Sequence, residues 1–290
     1  MSSTSAFDVE LITTASAHER LRLQDLIERS PDVVSEHKAL GLASSRTQRH
    51  VGVRLANQFV AAAIVAQHGE VWNVELIAHT NSEHARMVAF DAVMVDLDGE
   101  VVQLWEPTTG LSVELEEAIS RYDVDDTRTL LHLTRDLTLH HPELSELEAR
   151  TFAIERDGEA FIMANNLAFA GHKEQGAWTA STLNERIAQP WFDASLFLVS
   201  GEASVAGWCW CKIDPSHGEG HGEIYVIGTS PSAQGQGLGR KMLELGCATM
   251  AGRGVTHVDL YVDGDNIAAL ALYERAHFVE TSRRRSWLFS

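Results

Sequence analysis

The chain has 290 residues, 44% of them apolar, and its 41 acidic against 23 basic side chains leave a net charge of −18. A field of that sign repels nucleic acid and anionic membrane, so neither is expected as a partner, and an anionic ligand has to be held by local donors. The length suggests two domains of roughly 140 residues each, and no apolar run nears the ~20 residues that span a bilayer. Met1-Ser2-Ser3-Thr4-Ser5 has neither the basic head nor the apolar segment of a secretory signal. Cys209, Cys211 and Cys247 complete neither a disulfide framework nor a zinc set, and no metal is expected. A cytoplasmic, monomeric protein is the expectation.

The first half alternates strands and helices. Residues 8–14 read as a strand, followed by helical patterns over 18–30 and, more briefly, 35–43. Strand-like runs cover 50–55, 59–66 and 71–78. A helix over 83–96, a strand over 101–105, a helix over 113–120 and a strand over 129–134 complete the half. Residues 141–149 are polar and carry Pro142, the signature of a linker.

The second half repeats that order: a strand over 150–154, helices over 158–170 and 179–188, and strands over 196–200, 205–213 and 223–227. A glycine-rich loop follows, then a helix to 250, a strand over 257–262, a helix over 266–276 and a last strand from 278. Two copies of one α/β module, each a mixed sheet flanked by helices, are therefore expected, over residues 1–140 and 150–290. Cys209 and Cys211 lie two apart on one strand and share a face. Arg283-Arg284-Arg285 reads as a solvated basic end, and His217 and His221 flank a hairpin tip.

The distinctive stretch is Gly222 to Arg240. It opens as an apolar strand led by one carboxylate, Glu223, turns at Ser230-Pro231 and passes Gly235, Gly237 and Gly239 into a helix. A strand, a glycine-rich turn and a helix start form an anion cradle, because unhindered N–H groups and the helix dipole converge on one phosphate. The spacing fits neither G-x-G-x-x-G nor a Walker loop. It fits Gln/Arg-x-x-Gly-x-Gly/Ala, here Gln234-Gly235-Gln236-Gly237-Leu238-Gly239. That pattern resembles the coenzyme A pyrophosphate loop of the GCN5-related N-acetyltransferases. Where the second half has this loop, the first has Thr80-Asn81-Ser82-Glu83-His84-Ala85-Arg86-Met87, without a glycine. The first module is therefore expected to have lost its cradle.

A tandem arrangement with the competent copy second resembles the mycothiol synthase family. The matching segments are Glu223-Ile224-Tyr225-Val226-Ile227-Gly228, Leu260-Tyr261-Val262-Asp263 with Asp265-Asn266, and Phe169-Ala170-Gly171-His172-Lys173-Glu174-Gln175-Gly176 with Trp178-Thr179. Lys173 stands where the family has proline. The resemblance implies an α/β fold of two tandem GCN5-related N-acetyltransferase domains. It also implies acetyl-CoA as co-substrate and the cysteinyl amine of Cys-GlcN-inositol as acceptor.

Carried onto the matching positions, it implies Glu223 as general base and Tyr273 as general acid. Glu36, Glu174, Lys212, Glu223 and Tyr261 would contact the acceptor. Acetyl-CoA would lie against Ile227, Gly228 and Thr229, the loop Gln234, Gly235, Gln236, Gly237, Leu238, Gly239 and Arg240, and Asn266, Ile267, Ala268, Ala269, Leu270 and Ala271. Each assignment has a plainer rival: Tyr273 as a core aromatic, Lys212 as a solvent-facing strand residue, Glu174 as an ordinary loop residue. The alternative functions are acetylation of another small amine, or acyl-CoA sensing without catalysis.

Overall fold

The computed structural model describes residues 8–12, 48–55, 58–68, 70–78, 83–107, 112–172, 175–202, 204–214 and 218–290. The helical patterns over 18–43, Glu36, Glu174, His217 and the loop residues 80–82 lie outside the described residues. Two compact units are present, one formed by residues 1–130 with 283–290 and the other by 131–282.

The first unit is a sheet in the order β1 (Asp8–Ile12), β2 (Gln48–Leu55), β3 (Gln58–His68), β4 (Val71–Ala78) and β5 (Val101–Pro107). Its pairings are antiparallel except β4 with β5, which is parallel and needs the crossover helix α1 (Glu83–Asp96). Alternate residues of β4 and β5, Val74, Leu76, Val102 and Leu104, bury against Ala85, Ala89, Phe90 and Val93 of that helix. Helix α2 (Val113–Ile119) begins at Ser112, whose hydroxyl accepts from the Leu115 amide at 3.2 Å.

The last residues of the chain pair antiparallel with β5, from Arg284 opposite Pro107 to Phe289 opposite Val102. That corrects the reading of Arg283–Arg285 as a solvated end at its middle residue, while Arg283 and Arg285 are exposed as expected. Arg284 is buried, with Nη1 2.6 Å from Glu75 Oε1.

The second unit takes strands in the order β6 (Asp126–Asp136), β11 (His257–Asp263), β10 (His221–Thr229), β9 (Gly207–Lys212), β8 (Phe197–Ser200) and β7 (Ala149–Thr151). Here β10 and β11 are the parallel pair, and β7, β8, β9 and β10 run antiparallel to their neighbours. One face is covered by α5 (Leu238–Ala251) and α6 (Ile267–Arg275), with Cys209, Cys211, Ile224, Val258 and Leu260 beneath them. The two cysteines share that face as expected, their sulfurs 3.7 Å apart. They fit because Gly246 of α5 has no Cβ, which would lie 2.5 Å from Cys209 Sγ.

The other face carries α3 (Ile154–Ala168) and α4 (Ala180–Ile187) over a cluster of Phe161, Phe197, Trp178, Trp208 and Trp210. The predicted strand over 150–154 ends at Thr151, and α3 begins at Ile154. The reason is Asp157, which accepts from the Ala153 amide at 2.9 Å and from Arg150 and Arg156 at 2.7 and 3.1 Å. That caps the helix a turn earlier than its apolar period suggests. The linker is pinned rather than loose. Arg135 meets Glu244 at 3.1 Å and donates to the His140 and His141 carbonyls, and the Glu143 amide donates to Glu244 at 2.9 Å.

Candidate active site

The site is built where β10 parts from β11. The parallel ladder holds only from His221 to Glu223, opposite His257 to Asp259, although β10 runs on to Thr229 and β11 to Asp263. On its other side β10 pairs with β9 through a register shift between Ile224 and Val226, which makes Tyr225 the extra residue of a β-bulge. Ile224 accordingly packs under α5 while Tyr225 and Val226 both pack with the aromatic cluster. Beyond Glu223, the amides of β10 that face β11 have no ladder partner among the described residues. Where two parallel strands part in this way, the gap between them can take an extended acyl chain, and strand amides that face it can hold a carbonyl oxygen.

Glu223 stands at the base of that fork, only 6% exposed. Its Oε2 lies 3.5 Å from Nζ of Lys212, its antiparallel partner on β9, and that ammonium sits 5.1 Å from the centre of the Trp191 ring. Lys212 is thus not a solvent-facing strand residue; it is buried as deeply as Glu223. Tyr225 accepts from Arg186 of α4, whose guanidinium lies 4.7 Å over Trp178.

The loop after β10 carries a short 3-10 turn, Pro231–Ala233, then Gly235 at φ +73° and Gly237 at φ +77°. A Cβ on either would meet nothing within 4 Å, so packing does not demand glycine there. The left-handed backbone does, and the space outside the loop is open for a ligand. Gly237 caps the N-terminus of α5. Gly239 is different: its missing Cβ would touch Thr229 and Leu272, both at 3.8 Å, so the end of β10, the start of α5 and the flank of α6 meet there. Gly228 is required by packing, since a Cβ would lie 2.4 Å from the Trp208 ring. Asn266 caps α6 by accepting from the Ala269 amide at 3.2 Å, and it leaves Ile267 and Ala268 exposed. Arg240 is exposed and pairs with Glu143 at 2.7 Å. These donors and this open loop fit a coenzyme A pyrophosphate.

Tyr273 lies on α6, buried in the core beneath that helix with its ring 5.8 Å from Phe278. Burial pushes its hydroxyl far above the usual tyrosine range, so it stays protonated at neutral pH. Tyr261, on β11, stacks on His132 of β6 with centroids 4.6 Å apart.

The sequence reading missed a polar row on this face. Asp259, opposite Glu223 on β11, accepts from Thr134 at 2.5 Å and meets His221 Nδ1 at 2.8 Å and His132 Nε2 at 3.1 Å. Burial raises its pKa, but hydrogen bonds from His132, His221 and Thr134 outweigh that and bring it down to about 2. Asp263 lies 3.2 Å from His172 Nε2. Among the described residues no group of histidine, cysteine and acidic side chains is arranged to hold a metal ion. The signal that could have found the row is the alternation on β11, where Asp259, Tyr261 and Asp263 occupy one face and the apolar Val258, Leu260 and Val262 are buried on the other.

A sheet that forks at a buried glutamate and then runs into a positive-φ glycine loop defines an acyl-CoA-dependent transferase of the acetyltransferase (GNAT) family, whose model matches residues 122–278. The chain is 32% identical over 288 residues to the mycothiol acetyltransferase of Kytococcus sedentarius, a match covering 88% of this chain and 95% of that one. It is 41% identical over 180 residues to the mycothiol acetyltransferase of Geodermatophilus obscurus, covering 59% of this chain and 58% of the relative, little more than half its length. The chain belongs to the mycothiol acetyltransferase branch of the GNAT family. A GCN5-related N-acetyltransferase from Sphaerobacter thermophilus shares its fold, with TM-score 0.69 at 19% identity over 97% of this chain and 95% of that one. No helix among the described residues is long and apolar enough to cross a membrane.

Proposed function

We propose that the protein transfers the acetyl group of acetyl-CoA to the cysteinyl amine of Cys-GlcN-inositol, giving mycothiol. The observation that carries this is Glu223, a buried carboxylate at the base of the fork, beside Lys212 and above the glycine loop. The relatives' name supplies mycothiol, and the family resemblance of the sequence motifs supplies the acceptor amine.

An α-amino group titrates near 7.7–8.0, so at neutral pH most of it is ammonium and cannot attack. Glu223 takes that proton, while Lys212 balances its charge when the acceptor is absent. The thioester supplies an activated acetyl group. Amides of β10 beyond the bulge hold its carbonyl oxygen as negative charge develops there, an effect worth ~3 kcal/mol. Tyr273, protonated and buried, gives the leaving sulfur its proton and is restored by the second proton, which the nitrogen sheds as the amide forms. Gln234 to Arg240 hold the pyrophosphate, and Ile227 to Thr229 and Asn266 to Ala271 flank the chain between. Tyr261 and Lys212, with Glu36 and Glu174, bond the acceptor's hydroxyls and amine.

The reading further places catalysis in residues 150–290 and gives residues 1–140 no acyl-CoA site. It makes the protein a cytoplasmic monomer without nucleic-acid or membrane partners. A site built to bond hydroxyls leaves polar groups unpaired when they are missing. With acetyl-CoA and a panel of amines, Cys-GlcN-inositol should therefore outperform free cysteine and polyamines by at least ~100-fold in kcat/KM. Calorimetry should give one acetyl-CoA per chain. Equal rates on free cysteine would refute the acceptor assignment, and a second site of similar affinity would refute the division of roles.

A further inference from the structure

Acetylating an ammonium releases a proton. The acceptor enters as R–NH3+, leaves as an amide, and coenzyme A leaves as a thiol, so one proton per turnover must reach solvent. On the reading above it passes to Glu223, which is buried and has to be emptied before the next cycle. Three side chains adjoin it on the same face: Lys212 on β9, Asp259 opposite it on β11, and His221, two residues earlier on β10. Lys212 is already cationic. Asp259 is held by three donors, Thr134 at 2.5 Å, His221 at 2.8 Å and His132 at 3.1 Å, which keep it a carboxylate.

His221 is the member with access to water, its side chain 35% exposed. Only its Nδ1 is engaged, by Asp259, and no described residue engages its Nε2. His132 cannot serve in the same way. Its Nε2 meets Asp259, its Nδ1 lies 3.1 Å from the Thr281 hydroxyl, and its ring is stacked on Tyr261.

We propose that His221, braced by Asp259, is the outlet through which the proton taken by Glu223 reaches solvent. The inference rests on Glu223 being the base. In the step, the Glu223 O–H bond breaks and its proton moves through one water to Nε2 of His221. The imidazolium so formed keeps its Nδ1–H on Asp259, and its Nε2–H is then lost to a base in solution, restoring neutral imidazole and ionised Glu223. A carboxylate on Nδ1 supports the transient positive charge and leaves Nε2 to take and release the proton. Other titratable groups on this face are His132 and Asp136 of β6, Lys212 of β9, His257, Tyr261 and Asp263 of β11, and His172 after α3. The His257 ring stacks on His221 at 5.1 Å and its Nε2 lies 3.8 Å from Asp136, so it lies on the solvent side of the outlet.

The test is His221→Asn, whose amide can still donate to Asp259 but cannot take up and pass on a proton. With acetyl-CoA and Cys-GlcN-inositol, kcat should fall ~10-fold near pH 7 with both KM values within about twofold, and added imidazole should restore most of it. In a Glu223→Gln background the same change should cost nothing further, because there is no longer a proton to pass on. A loss that no imidazole concentration restores would mean His221 is a structural brace, and would overturn the proposal. So would a wild-type kcat in His221→Asn while Glu223→Gln is crippled; the base assignment would then stand alone. If Glu223→Gln itself is nearly as fast as wild type, the base reading fails and takes the outlet with it.

Discussion

The two units contain the same fork, and the catalysis proposed above uses only the second. In the second, β10 and β11 part after Glu223; in the first, β4 and β5 part after Glu75, opposite Trp105, although both strands continue. A buried glutamate therefore closes each parallel ladder. Its surroundings differ at every other point. The strand partner of Glu223 is Lys212, and that of Glu75 is Ile64. Across the fork stand Asp259 in one unit and Trp105 in the other, the indole donating to Asn73 at 3.2 Å. Glu75 is clamped by Arg284 at 2.6 Å, a firmer hold than the 3.5 Å contact of Glu223 with Lys212. β10 has a bulge at Tyr225, whereas β4 pairs with β3 without a register shift. The position after Asp259 is Leu260, apolar and buried; the position after Trp105 is Glu106, tied to Arg86 of α1. A glutamate at the fork is thus a property of the fold. In the second unit that glutamate is joined by a bulge and by an open glycine loop, and the proposed catalysis uses all three.

The sharpest way to break that comparison is to make the same substitution in both copies. Glu223→Gln should lower kcat/KM by ~10²–10⁴ near neutral pH. The deficit should shrink above about pH 8, where the amine is already neutral. Glu75→Gln should leave kcat/KM within about twofold and instead lower stability by about 3 kcal/mol, because Arg284 is left buried without its counter-charge. Urea unfolding and steady-state kinetics on the pair separate the two roles. An activity loss in Glu75→Gln comparable to that in Glu223→Gln would end the distinction.

Glu106 offers a second contrast, in pH. Burial pushes its pKa from 4.5 up to about 7, with Arg86 opposing. The folded chain then holds a proton that the unfolded chain has lost between those values. Its contribution to stability is complete below about pH 4.5 and is lost as the pH rises through 7. Wild type should therefore lose up to about 3 kcal/mol relative to Glu106→Gln between pH 4.5 and 8, followed by urea midpoints at each pH. A difference independent of pH would show that Arg86 keeps the carboxylate ionised throughout.

Much of this was legible before folding. Val71–Ala78, Glu83–Asp96 and the strand–loop–helix from His221 onward follow from apolar period and punctuation alone, as do the two copies. The loop glycines announced a ligand because their spacing answers a backbone need, later visible as positive φ with empty space around it. The bulge was visible only as a length: from the fork glutamate to the next threonine, Thr229 or Thr80, the second copy has one residue more. The His132–Asp259–His221 group was not legible. Its members come from β6, β11 and β10, and their meeting depends on strand order, which local patterns do not carry. Arg284 was misread for the same reason, since only the pairing with β5 turns a basic terminus into a buried counter-ion.

The smallest effect concerns how an acidic chain holds an anionic co-substrate. Arg240, in the first turn of α5, is exposed and spends its charge on Glu143, while Lys241 donates to the Glu146 carbonyl at 3.2 Å. A solvent-exposed pair of that kind contributes about 0–1 kcal/mol, so Arg240→Ala should hardly change thermal stability. Its loss should matter more to acetyl-CoA. The proposed pyrophosphate cradle offers neutral amides and a helix dipole worth roughly half a charge, and Arg240 adds a full cation in the first turn of that helix, within a chain of net charge −18. Binding should therefore weaken about 3- to 10-fold in low salt, and the difference should narrow as the ionic strength rises toward 0.5 M, because exposed charges are screened within a few ångströms there. Glu143→Gln should do the reverse, freeing Arg240 and tightening binding by a similar or smaller factor. In the first unit the arginine at the corresponding helix start is spoken for: Arg86, in the first turn of α1, is tied to Glu83 at 3.2 Å and to buried Glu106. Arg86→Ala should accordingly leave acetyl-CoA affinity unchanged at every salt concentration, and a salt-dependent loss there would move part of the binding into the first copy.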